Sequence, residues 1–598
     1  MRSPGQLSLL CLALLGTSAS LVAAPAHLSS VGPVVSCASL ANTNIDAAVG
    51  AKVKIDAAVE KPLQGTVYCQ ITGSIAPQIR FELRLPVSGW TQRYLQIGCG
   101  GLCGVLNIRV EHADECQPVH DHALALASTD MGHEALTMGD GTFGANPQAR
   151  IDFAYRGVHL TAVAAKALIR NYYGKSPKYA YFAGCSDGGR EALMEAQRFP
   201  TDFNGISAGA PAMNFMVQNT FYHAWMYLVN RRSDGSAILT ASKLPALHAA
   251  ALASCDATDG LQDGQITDPR ACHFDPAEAV CKPGQTVDNT CLTAQEADVA
   301  RKYYQGPRDA EGHRFTIGGP QVGSELSWRG VFVPDSAQGE VMSQGAALGT
   351  LRYLAFEQNP GAGYSLSDFH FDRATFQRLE ALHPLYDATD TDLSSFAARG
   401  GKLLLWHGWS DPHISPINTI AYYQAVRSGL GEPKTDGFLR LFLFPGMYHC
   451  MGGDGTGAFD TLTPLMSWVE NATAPDRIIA GHADSPFPMA PPAGSKPPHD
   501  AGPPPADMPP PAGSRPPRDA GPPPADMPPP RVTRTRPVFA YPAVAKYSGS
   551  GSVDDAKSFV ATSALTPEPA TYDWEGARFM TPGFHKTCRV VDGKLSCQ

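Results

Sequence analysis

The sequence Tyr181-Phe-Ala-Gly-Cys-Ser-Asp-Gly-Gly-Arg190 contains the pattern G-x-S-x-G at residues 184–188. An apolar run at residues 178–183 leads into the pattern and predicts a buried strand, while the helix formers of residues 190–198 predict a helix after it. Strand, tight glycine turn and helix form a nucleophile elbow, in which a strained serine projects from the edge of a sheet. Ser186 is therefore the candidate nucleophile.

Two later residues could activate that serine. A serine hydroxyl needs a base within hydrogen-bond reach and a third group that orients the base. Asp411 follows a predicted buried strand at residues 402–407, and His449 follows another at residues 439–444. The chain order Ser186, Asp411, His449 is that of the α/β-hydrolases, so the sequence predicts an α/β fold with this triad. The alternative is that Asp411 and His449 are ordinary polar loop residues.

A glycine-rich turn, Gly98-Cys-Gly-Gly101, follows a predicted strand at residues 93–97. In the α/β-hydrolase fold a turn of this kind supplies one backbone N–H to the oxyanion hole, and the residue after the nucleophile supplies the other. The predicted donors are therefore the N–H of Asp187 and that of Cys99 or Gly100. The alternative is a turn without a catalytic role.

Cysteines stand beside both the nucleophile and its base. Cys185 directly precedes Ser186, and Cys450 directly follows His449. If serine and histidine meet, the two sulfurs come close enough for a disulfide. Two buried free thiols are the alternative.

These motifs resemble the tannase and feruloyl esterase family, which includes hydrolases of terephthalate monoesters. The resemblance rests on Cys-Ser, Asp and His-Cys with their flanking residues, and runs from about residue 37 to about residue 562 with one insertion. It implies an α/β-hydrolase core with a large inserted lid and a serine esterase acting on small esters of aromatic acids, galloyl, feruloyl or related. Many members carry Thr where this chain has Asp187, and a carboxylate there could bias which substrates are tolerated.

The 598-residue chain divides into successive segments. Residues 1–24 have the basic start, short apolar core and small-residue end of a secretory signal, and the apolar run is too short to span a membrane. A secreted or periplasmic enzyme is therefore expected. The remaining segments are the first part of the core (25–211), the lid (212–395), the second part of the core (396–484), a Pro-rich disordered insertion (485–530), and the C-terminal part of the core with a terminal hairpin (531–598).

The predicted lid contains three carboxylates within eight residues, on a loop with Asp-Gly steps. Such carboxylates repel one another unless a cation holds them, and hard oxygen ligands suit Ca²⁺. The resemblance implies a structural calcium site formed by the side chains of Asp256, Asp259 and Asp263 and the carbonyls of Leu261 and Gln265. The alternative is a solvated acidic loop.

The lid is also expected to supply the wall of the substrate pocket and to exclude water. Trp328 and the run at residues 351–356 are candidates for this wall, and Arg352 could pair with a substrate carboxylate. The alternative is that they form the lid core and its surface.

Export makes the cysteines candidates for disulfides, because oxidising compartments preserve such bonds. The expected pairs besides Cys185–Cys450 are Cys37–Cys69, which the resemblance implies, Cys255–Cys272 around the acidic loop, Cys281–Cys291, and Cys588–Cys597 in the terminal hairpin. Cys99, Cys103 and Cys116 remain, and three cysteines cannot all pair with one another.

A net charge of −9 and the absence of a basic run argue against a nucleic-acid partner, and no membrane partner is expected. The oligomeric state and the acyl group stay open. Two other functions are possible on these motifs, an acyltransferase or peptidase with the same triad and a secreted binding protein on an inactive hydrolase scaffold. Reaction of Ser186 with a fluorophosphonate would separate the enzymes from the binding protein.

Overall fold

A computed structural model describes residues 24–63, 65–135, 137–483, 532–567 and 571–598. The predicted signal, apart from Ala24, and the predicted Pro-rich insertion at residues 485–530 lie outside the described residues. Among the described helices, none combines the length and the apolar character needed to cross a bilayer.

The strands follow the apolar runs of the sequence. They are β1 (Val53–Leu63), β2 (Thr66–Ile75), β3 (Ile79–Pro86), β4 (Arg93–Ile97), β5 (Leu124–Thr129), β6 (Tyr179–Cys185), β7 (Gly205–Gly209), β8 (Lys402–Gly408), β9 (Leu439–Phe444), β10 (Ala458–Phe459), β11 (Arg477–Ala483), β12 (Val532–Phe539), β13 (Val544–Tyr547), β14 (Phe559–Thr562), β15 (Cys588–Val591) and β16 (Lys594–Cys597).

Helices cover the sheet and fill the long segment between β7 and β8. They are α1 (Asp46–Val49), α2 (Gln117–His120), α3 (Pro147–Ile151), α4 (Gly157–Tyr173), α5 (Asp187–Arg198), α6 (Phe215–Val217), α7 (His223–Leu228), α8 (Leu244–Cys255), α9 (Ala294–Gln305), α10 (Met342–Tyr353), α11 (Arg373–Leu379), α12 (His383–Tyr386), α13 (Ser394–Ala398), α14 (Pro416–Leu430), α15 (Glu432–Asp436) and α16 (Leu462–Asn471).

Nine strands form the central sheet in the order β1-β2-β3-β5-β4-β6-β7-β8-β9. The first four are antiparallel neighbours, and the strands from β5 to β9 are parallel. Parallel strands end at one edge of a sheet, so the turns after β4, β6, β8 and β9 lie side by side. This topology brings together four segments that lie far apart in the sequence, and it confirms the predicted α/β-hydrolase fold.

The segment at residues 212–395 has two parts. Residues between Tyr222 and Val333 bury a hydrophobic core of their own, which includes Trp328. The start of the segment, from Met213 to Phe221, and the residues between Ala347 and Leu393 pack instead into the main core that surrounds the central sheet. The second part is therefore anchored to the core, because its apolar side chains are buried there.

The segment beyond His449 forms smaller sheets. β10, β11 and β12 make an antiparallel sheet of three strands, in which Ala483 pairs with Val532 across the predicted Pro-rich insertion. β15 and β16 form the predicted terminal hairpin, with Cys588 opposite Cys597. The insertion therefore joins the ends of two paired strands.

Candidate active site

Ser186 lies between β6 and α5 with φ 65° and ψ −120°. A positive φ is strained for a residue with a side chain, and it is the feature that identifies a nucleophile elbow. The turn requires glycine because a Cβ on Gly184 would lie 2.5 Å from the backbone of Gly188. The predicted strand, glycine turn and helix are confirmed.

Asp411 and His449 meet at the carboxyl edge of the sheet. His449 Nδ1–H donates to Asp411 Oδ2 at 2.6 Å, and the Asp411 side chain is fully buried. Burial alone would raise the pKa of Asp411, but the charge of His449 and the hydrogen bonds from His407 and His449 outweigh it, so the pKa lies well below its usual range. Asp411 therefore stays ionised and holds one tautomer of His449, which leaves Nε2 free to accept a proton.

Sequence reasoning missed the residues that hold Asp411 in place. His407 Nε2 lies 3.0 Å from Asp411 Oδ2, and its Nδ1 lies 2.7 Å from the Thr419 hydroxyl. The backbone N–H groups of His413 and Ile414 donate to Asp411 Oδ1 at 2.7 and 3.0 Å. The available signal was the position of His407 at the end of a predicted strand, four residues before the acid.

Cys185 and Cys450 form a disulfide with a Cα–Cα distance of 5.9 Å, which joins the neighbours of Ser186 and His449. The other four predicted pairs are also bonded, namely Cys37–Cys69, Cys255–Cys272, Cys281–Cys291 and Cys588–Cys597. Of the three cysteines left over, Cys99 and Cys103 form a sixth bridge. Cys116 keeps a buried thiol, and burial raises its pKa to about 12.

A cavity of about 400 Å³ opens in front of Ser186 and His449. Its walls come from residues 97–100, several residues between Val105 and His112, residues 183–186 and 449–451, together with Ser128, Thr129, Met138, Ser207, Trp406 and Thr461. None of the residues that line this cavity belongs to residues 212–395, so the expected wall from the lid is not observed here. The loops after β4 and β5 form the wall that the lid was expected to supply.

The inserted segment packs against the loops that form this wall. A Cβ on Gly141 would lie 2.2 Å from the Gly349 carbonyl oxygen, which shows how tightly the loop after β5 packs on α10. On the other side, the His413 ring lies 4.7 Å from the His449 ring, and His223 of α7 lies 6.0 Å beyond it. The inserted segment at residues 212–395 therefore contacts the loops of the core that surround the site.

The wall candidates Trp328 and Arg352 do not line this cavity. Trp328 is buried in the separate core of the insertion, where it packs against Tyr303 and Tyr304. Arg352 Nε donates to the Tyr364 carbonyl at 2.9 Å. Both residues therefore match the alternative interpretation, in which they belong to the core and surface of the insertion.

The two predicted oxyanion segments lie next to each other. Asp187 is the first residue of α5, where an N–H has no partner within the helix, and Gly100 lines the cavity. Cys99 is corrected as a candidate donor, because its N–H donates to Glu191 Oε1 at 3.1 Å. Gly100 is therefore the remaining candidate in this turn.

The side chain of Asp187 points away from the cavity. It is buried and forms an ion pair with Arg190, whose Nε donates to Asp187 Oδ1 at 2.6 Å. Arg190 also donates to the carbonyls of Phe153 and Ala154. The Asp187 carboxylate therefore does not line the cavity, as a direct influence on the substrate would require, because it is paired with Arg190 in the core.

Each predicted calcium ligand has a defined place in the acidic loop. Asp259, Leu261, Asp263 and Gln265 line one small cavity of about 40 Å³. The Asp256 carboxylate accepts the N–H groups of residues 263, 264 and 265 at 3.1 to 3.2 Å.

The charges of this loop are only partly balanced by the protein. Asp263 pairs with Arg536, which reaches the loop from β12. Burial, followed by the negative charges of Asp263 and Asp256, raises the pKa of Asp259. Among the described residues the carboxylates of Asp256, Asp259 and Asp263 do not all lie within 4.8 Å of one another, and Arg536 already offsets one of the three charges.

Comparison with known proteins identifies the family of this chain. Residues 64–562 match the family model described as "Tannase and feruloyl esterase". An uncharacterized esterase of Xanthomonas campestris pv. campestris is 32% identical over 94% of this chain and 97% of its own length. A mono(2-hydroxyethyl) terephthalate hydrolase of Piscinibacter sakaiensis is 30% identical over 82% of this chain and 84% of its own.

Solved structures show the same fold. The crystal structure of feruloyl esterase B from Aspergillus oryzae covers 86% of this chain and 96% of its own, with a TM-score of 0.67 and 24% identity. Tannin acyl hydrolase from Aspergillus niger covers 86% of this chain and 90% of its own, with a TM-score of 0.60 and 20% identity. The resemblance noted in the motifs is confirmed over most of the chain, which belongs to the tannase and feruloyl esterase family and is a carboxylesterase with an α/β-hydrolase fold.

Proposed function

We propose that this chain is an exported serine esterase that cleaves esters of aromatic carboxylic acids, galloyl, feruloyl or related, through an acyl-enzyme. One observation carries the proposal. Ser186 and His449 line the same cavity with their neighbours joined by a disulfide, and His449 Nδ1 lies 2.6 Å from the buried Asp411. A nucleophile, a base and an orienting acid in this order are the components of acyl transfer by serine.

In the proposed reaction His449 Nε2 takes the proton of Ser186 as Oγ attacks the ester carbonyl. The N–H groups of Asp187 and Gly100 stabilise the negative charge on the carbonyl oxygen. Collapse of the tetrahedral intermediate breaks the ester bond, and His449 returns the proton to the leaving alcohol. A water that loses its proton to His449 then attacks the acyl-enzyme. The bond between Ser186 Oγ and the acyl carbon breaks, His449 returns the proton to Oγ, and the acid is released, while Asp411 stabilises the imidazolium in both steps.

An aromatic acyl group suits the cavity. The Trp406 and His112 rings meet at 4.6 Å in its wall, and Met138 and Met451 are exposed at its rim. Aromatic rings and thioethers pack well on an aromatic substrate. The cavity volume also lies within the range of about 300–1,000 Å³ that is usual for small-molecule sites. Relatives named as feruloyl esterases and as a terephthalate monoester hydrolase point to the same substrate class.

Initial rates on methyl gallate, methyl ferulate and mono(2-hydroxyethyl) terephthalate test the substrate class. One of the three should be hydrolysed well above an aliphatic methyl ester of similar size, and Ser186→Ala should lose nearly all activity. A fluorophosphonate should label Ser186 in the wild-type protein, and added hydroxylamine should trap the acyl group. Full activity in Ser186→Ala would refute the serine mechanism, and equal rates on aliphatic esters would refute the aromatic specificity.

Export is the second part of the proposal. Six disulfides join the described residues, and such bonds persist in the periplasm and outside the cell, whereas cytosolic thiols are kept reduced. The basic and apolar character of residues 1–24 supports the same destination. Fractionation of the native host should recover the mature enzyme outside the cytoplasm, with its new N-terminus close to residue 25.

A structural Ca²⁺ in the acidic loop is the third part. The side chains of Asp256, Asp259 and Asp263 and the carbonyls of Leu261 and Gln265 would hold it. When bound, the ion supplies positive charge that relieves the repulsion among the carboxylates. The loop belongs to the inserted segment and shares no lining residue with the cavity of Ser186, so no step of the reaction passes through the metal.

A further inference from the structure

Three consecutive amides follow β4, and two of them donate hydrogen bonds within the described part of the protein while the third does not. The Gly98 N–H donates to the Ala183 carbonyl of β6 at 3.0 Å. The Cys99 N–H donates to Glu191 at 3.1 Å. In the described chain the Gly100 N–H has no protein acceptor, and Gly100 lines the cavity in front of Ser186. The hydrogen bonds of the Gly98 and Cys99 N–H groups therefore hold the backbone that carries the Gly100 N–H.

Glu191 lies on α5, one turn after Ser186, and its side chain is buried. Its Oε1 accepts the Cys99 N–H and also contacts both sulfurs of the Cys99–Cys103 bridge. Its Oε2 is buried without a hydrogen-bond partner among the described residues. A buried carboxyl is costly in an apolar core, and among the described residues the Cys99 N–H is the N–H group that donates to it.

The turn and the nucleophile helix pack without space between them. A Cβ on Gly98 would lie 2.6 Å from Gly188 Cα, and a Cβ on Gly188 would lie 2.9 Å from the Cys99 carbonyl oxygen. The Cys99–Cys103 bridge closes a short loop around Gly100, and the Leu102 N–H donates to the Met138 carbonyl at 2.7 Å. Glu191 supplies the hydrogen bond that joins this loop to α5.

We propose that Glu191 is a positioning residue of the oxyanion hole, which holds the bridged turn on α5 so that the N–H groups of Gly100 and Asp187 face the same oxygen. This inference rests on the proposed function, because it assigns those two amides to the oxyanion. Donors that are placed before the reaction stabilise the developing charge without reorganisation. A loosened turn therefore weakens binding of the transition state more than binding of the substrate.

The variant Glu191→Leu removes the acceptor at similar size, and Glu191→Gln keeps an acceptor oxygen. Loss of a complete oxyanion donor lowers kcat by about 10²–10³-fold, so Glu191→Leu should lower kcat by at least about tenfold with KM within about twofold. Affinity for an arylboronic acid, whose adduct with Ser186 is tetrahedral, should fall by a similar factor. Glu191→Gln should stay within about threefold of the wild type, because its carbonyl can accept the Cys99 N–H.

Glu195 provides a matched control, because it is a second buried glutamate one turn further along α5 and does not contact the turn. Neither of its carboxyl oxygens accepts a hydrogen bond from the described residues. Glu195→Leu should leave kcat and boronate affinity within about twofold of the wild type. If Glu191→Leu is not recovered folded, Glu191→Asp, which withdraws the carboxylate by one methylene, should show the same loss of kcat.

A folded Glu191→Leu enzyme with wild-type kcat and boronate affinity would overturn the inference. Equal losses in Glu191→Leu and Glu195→Leu would also overturn it, because the effect would then belong to helix packing. Ser186→Ala separates these results from the proposed function. If Ser186→Ala is inactive while Glu191→Leu is normal, only the positioning role fails, and if Ser186→Ala is active, the serine mechanism itself fails.

Discussion

His407 Nε2 lies 3.0 Å from Asp411 Oδ2, the same oxygen that accepts the hydrogen bond of His449. Asp411 can only accept, so His407 carries its proton on Nε2, and its Nδ1 then accepts from the Thr419 hydroxyl at 2.7 Å. The proposed orienting acid is therefore itself oriented by a second, fully buried imidazole.

The first prediction is that His407→Leu lowers kcat by about tenfold to a hundredfold without a matching change in KM. The reason is that a released Asp411 lets His449 shift, and a displacement of about 1 Å can lower a rate on the order of a hundredfold. Steady-state kinetics give both constants. Thr419→Val is the matched control, because it removes only the far contact of the His407 ring and should have a smaller effect. An unchanged kcat in His407→Leu would show that the backbone N–H groups hold Asp411 without help.

The second prediction concerns the bridge between Cys185 and Cys450, which spans a sequence separation of 265. By the chain-entropy model such a bond contributes on the order of 5 kcal/mol to the free energy of unfolding, and measured values are often smaller. Replacing both cysteines with alanine should therefore lower Tm, and it should also lower kcat because the bridge joins the neighbours of Ser186 and His449.

The control removes the Cys281–Cys291 bridge of the inserted segment, with a separation of 10. That double alanine variant should lose about 3 kcal/mol at most and keep kcat. Peptide mapping without reduction checks the bond directly. Recovery of Cys185 and Cys450 as unlinked thiols in fully active protein would contradict this prediction.

The third prediction concerns the acidic loop. Removal of Ca²⁺ by a chelator should lower Tm, because a ligand that binds only the folded state stabilises it by linkage, about 2.7 kcal/mol at a hundred times its Kd. Added Ca²⁺ should restore Tm, and kcat measured well below Tm should not change. In Asp259→Asn the calcium-dependent part of Tm should be reduced. Metal-free protein that melts at the same temperature would identify the loop as a solvated acidic loop.

The fourth prediction concerns the Pro-rich insertion. Ala483 and Val532 are paired neighbours on β11 and β12, so deletion of residues 488–530 leaves five residues to join two strands that already face each other. Loops of four or five residues commonly connect antiparallel strands. The deletion variant should keep its Tm within a few degrees and its kcat unchanged. Insoluble protein, or a large fall in Tm, would show that the insertion contributes to the packed structure.

The fifth prediction concerns Glu195 and pH. Burial, followed by the negative charge of Asp202, raises the pKa of Glu195 well above its ordinary value. A raised pKa in the folded state means that the stability contributed by the protonated carboxyl is present below the unfolded pKa, about 4.3, and is lost as pH rises through the folded pKa. The Glu195→Gln variant carries no titratable group at this position, so this loss of stability with rising pH does not occur in it.

The difference in Tm between Glu195→Gln and the wild type should therefore grow in favour of the variant from pH 4 to pH 8. Thermal melts across that range measure it. A difference that stays constant with pH would mean that the Glu195 carboxyl titrates alike in both states.

The amino-acid sequence alone determined the features that depend on local pattern. Apolar runs of five to seven residues predict the strands at the centre of the sheet, and the glycines around Ser186 predict the turn. Chain order then places Asp411 and His449 after two further strands, and parallel strands end at one edge. Neighbouring cysteines predict the Cys185–Cys450 bridge for the same reason, since residues next to a bonded pair are themselves close together.

Only the tertiary structure decided where individual groups point. The Cys99 N–H turns toward Glu191, which lies 92 residues later in the chain, and the Asp187 carboxylate turns inward to Arg190. The cavity wall comes from the loops after β4 and β5 and contains no residue of the long inserted segment at residues 212–395. Such outcomes depend on contacts between distant segments, and neither periodicity nor composition records which of several possible partners a buried polar group meets.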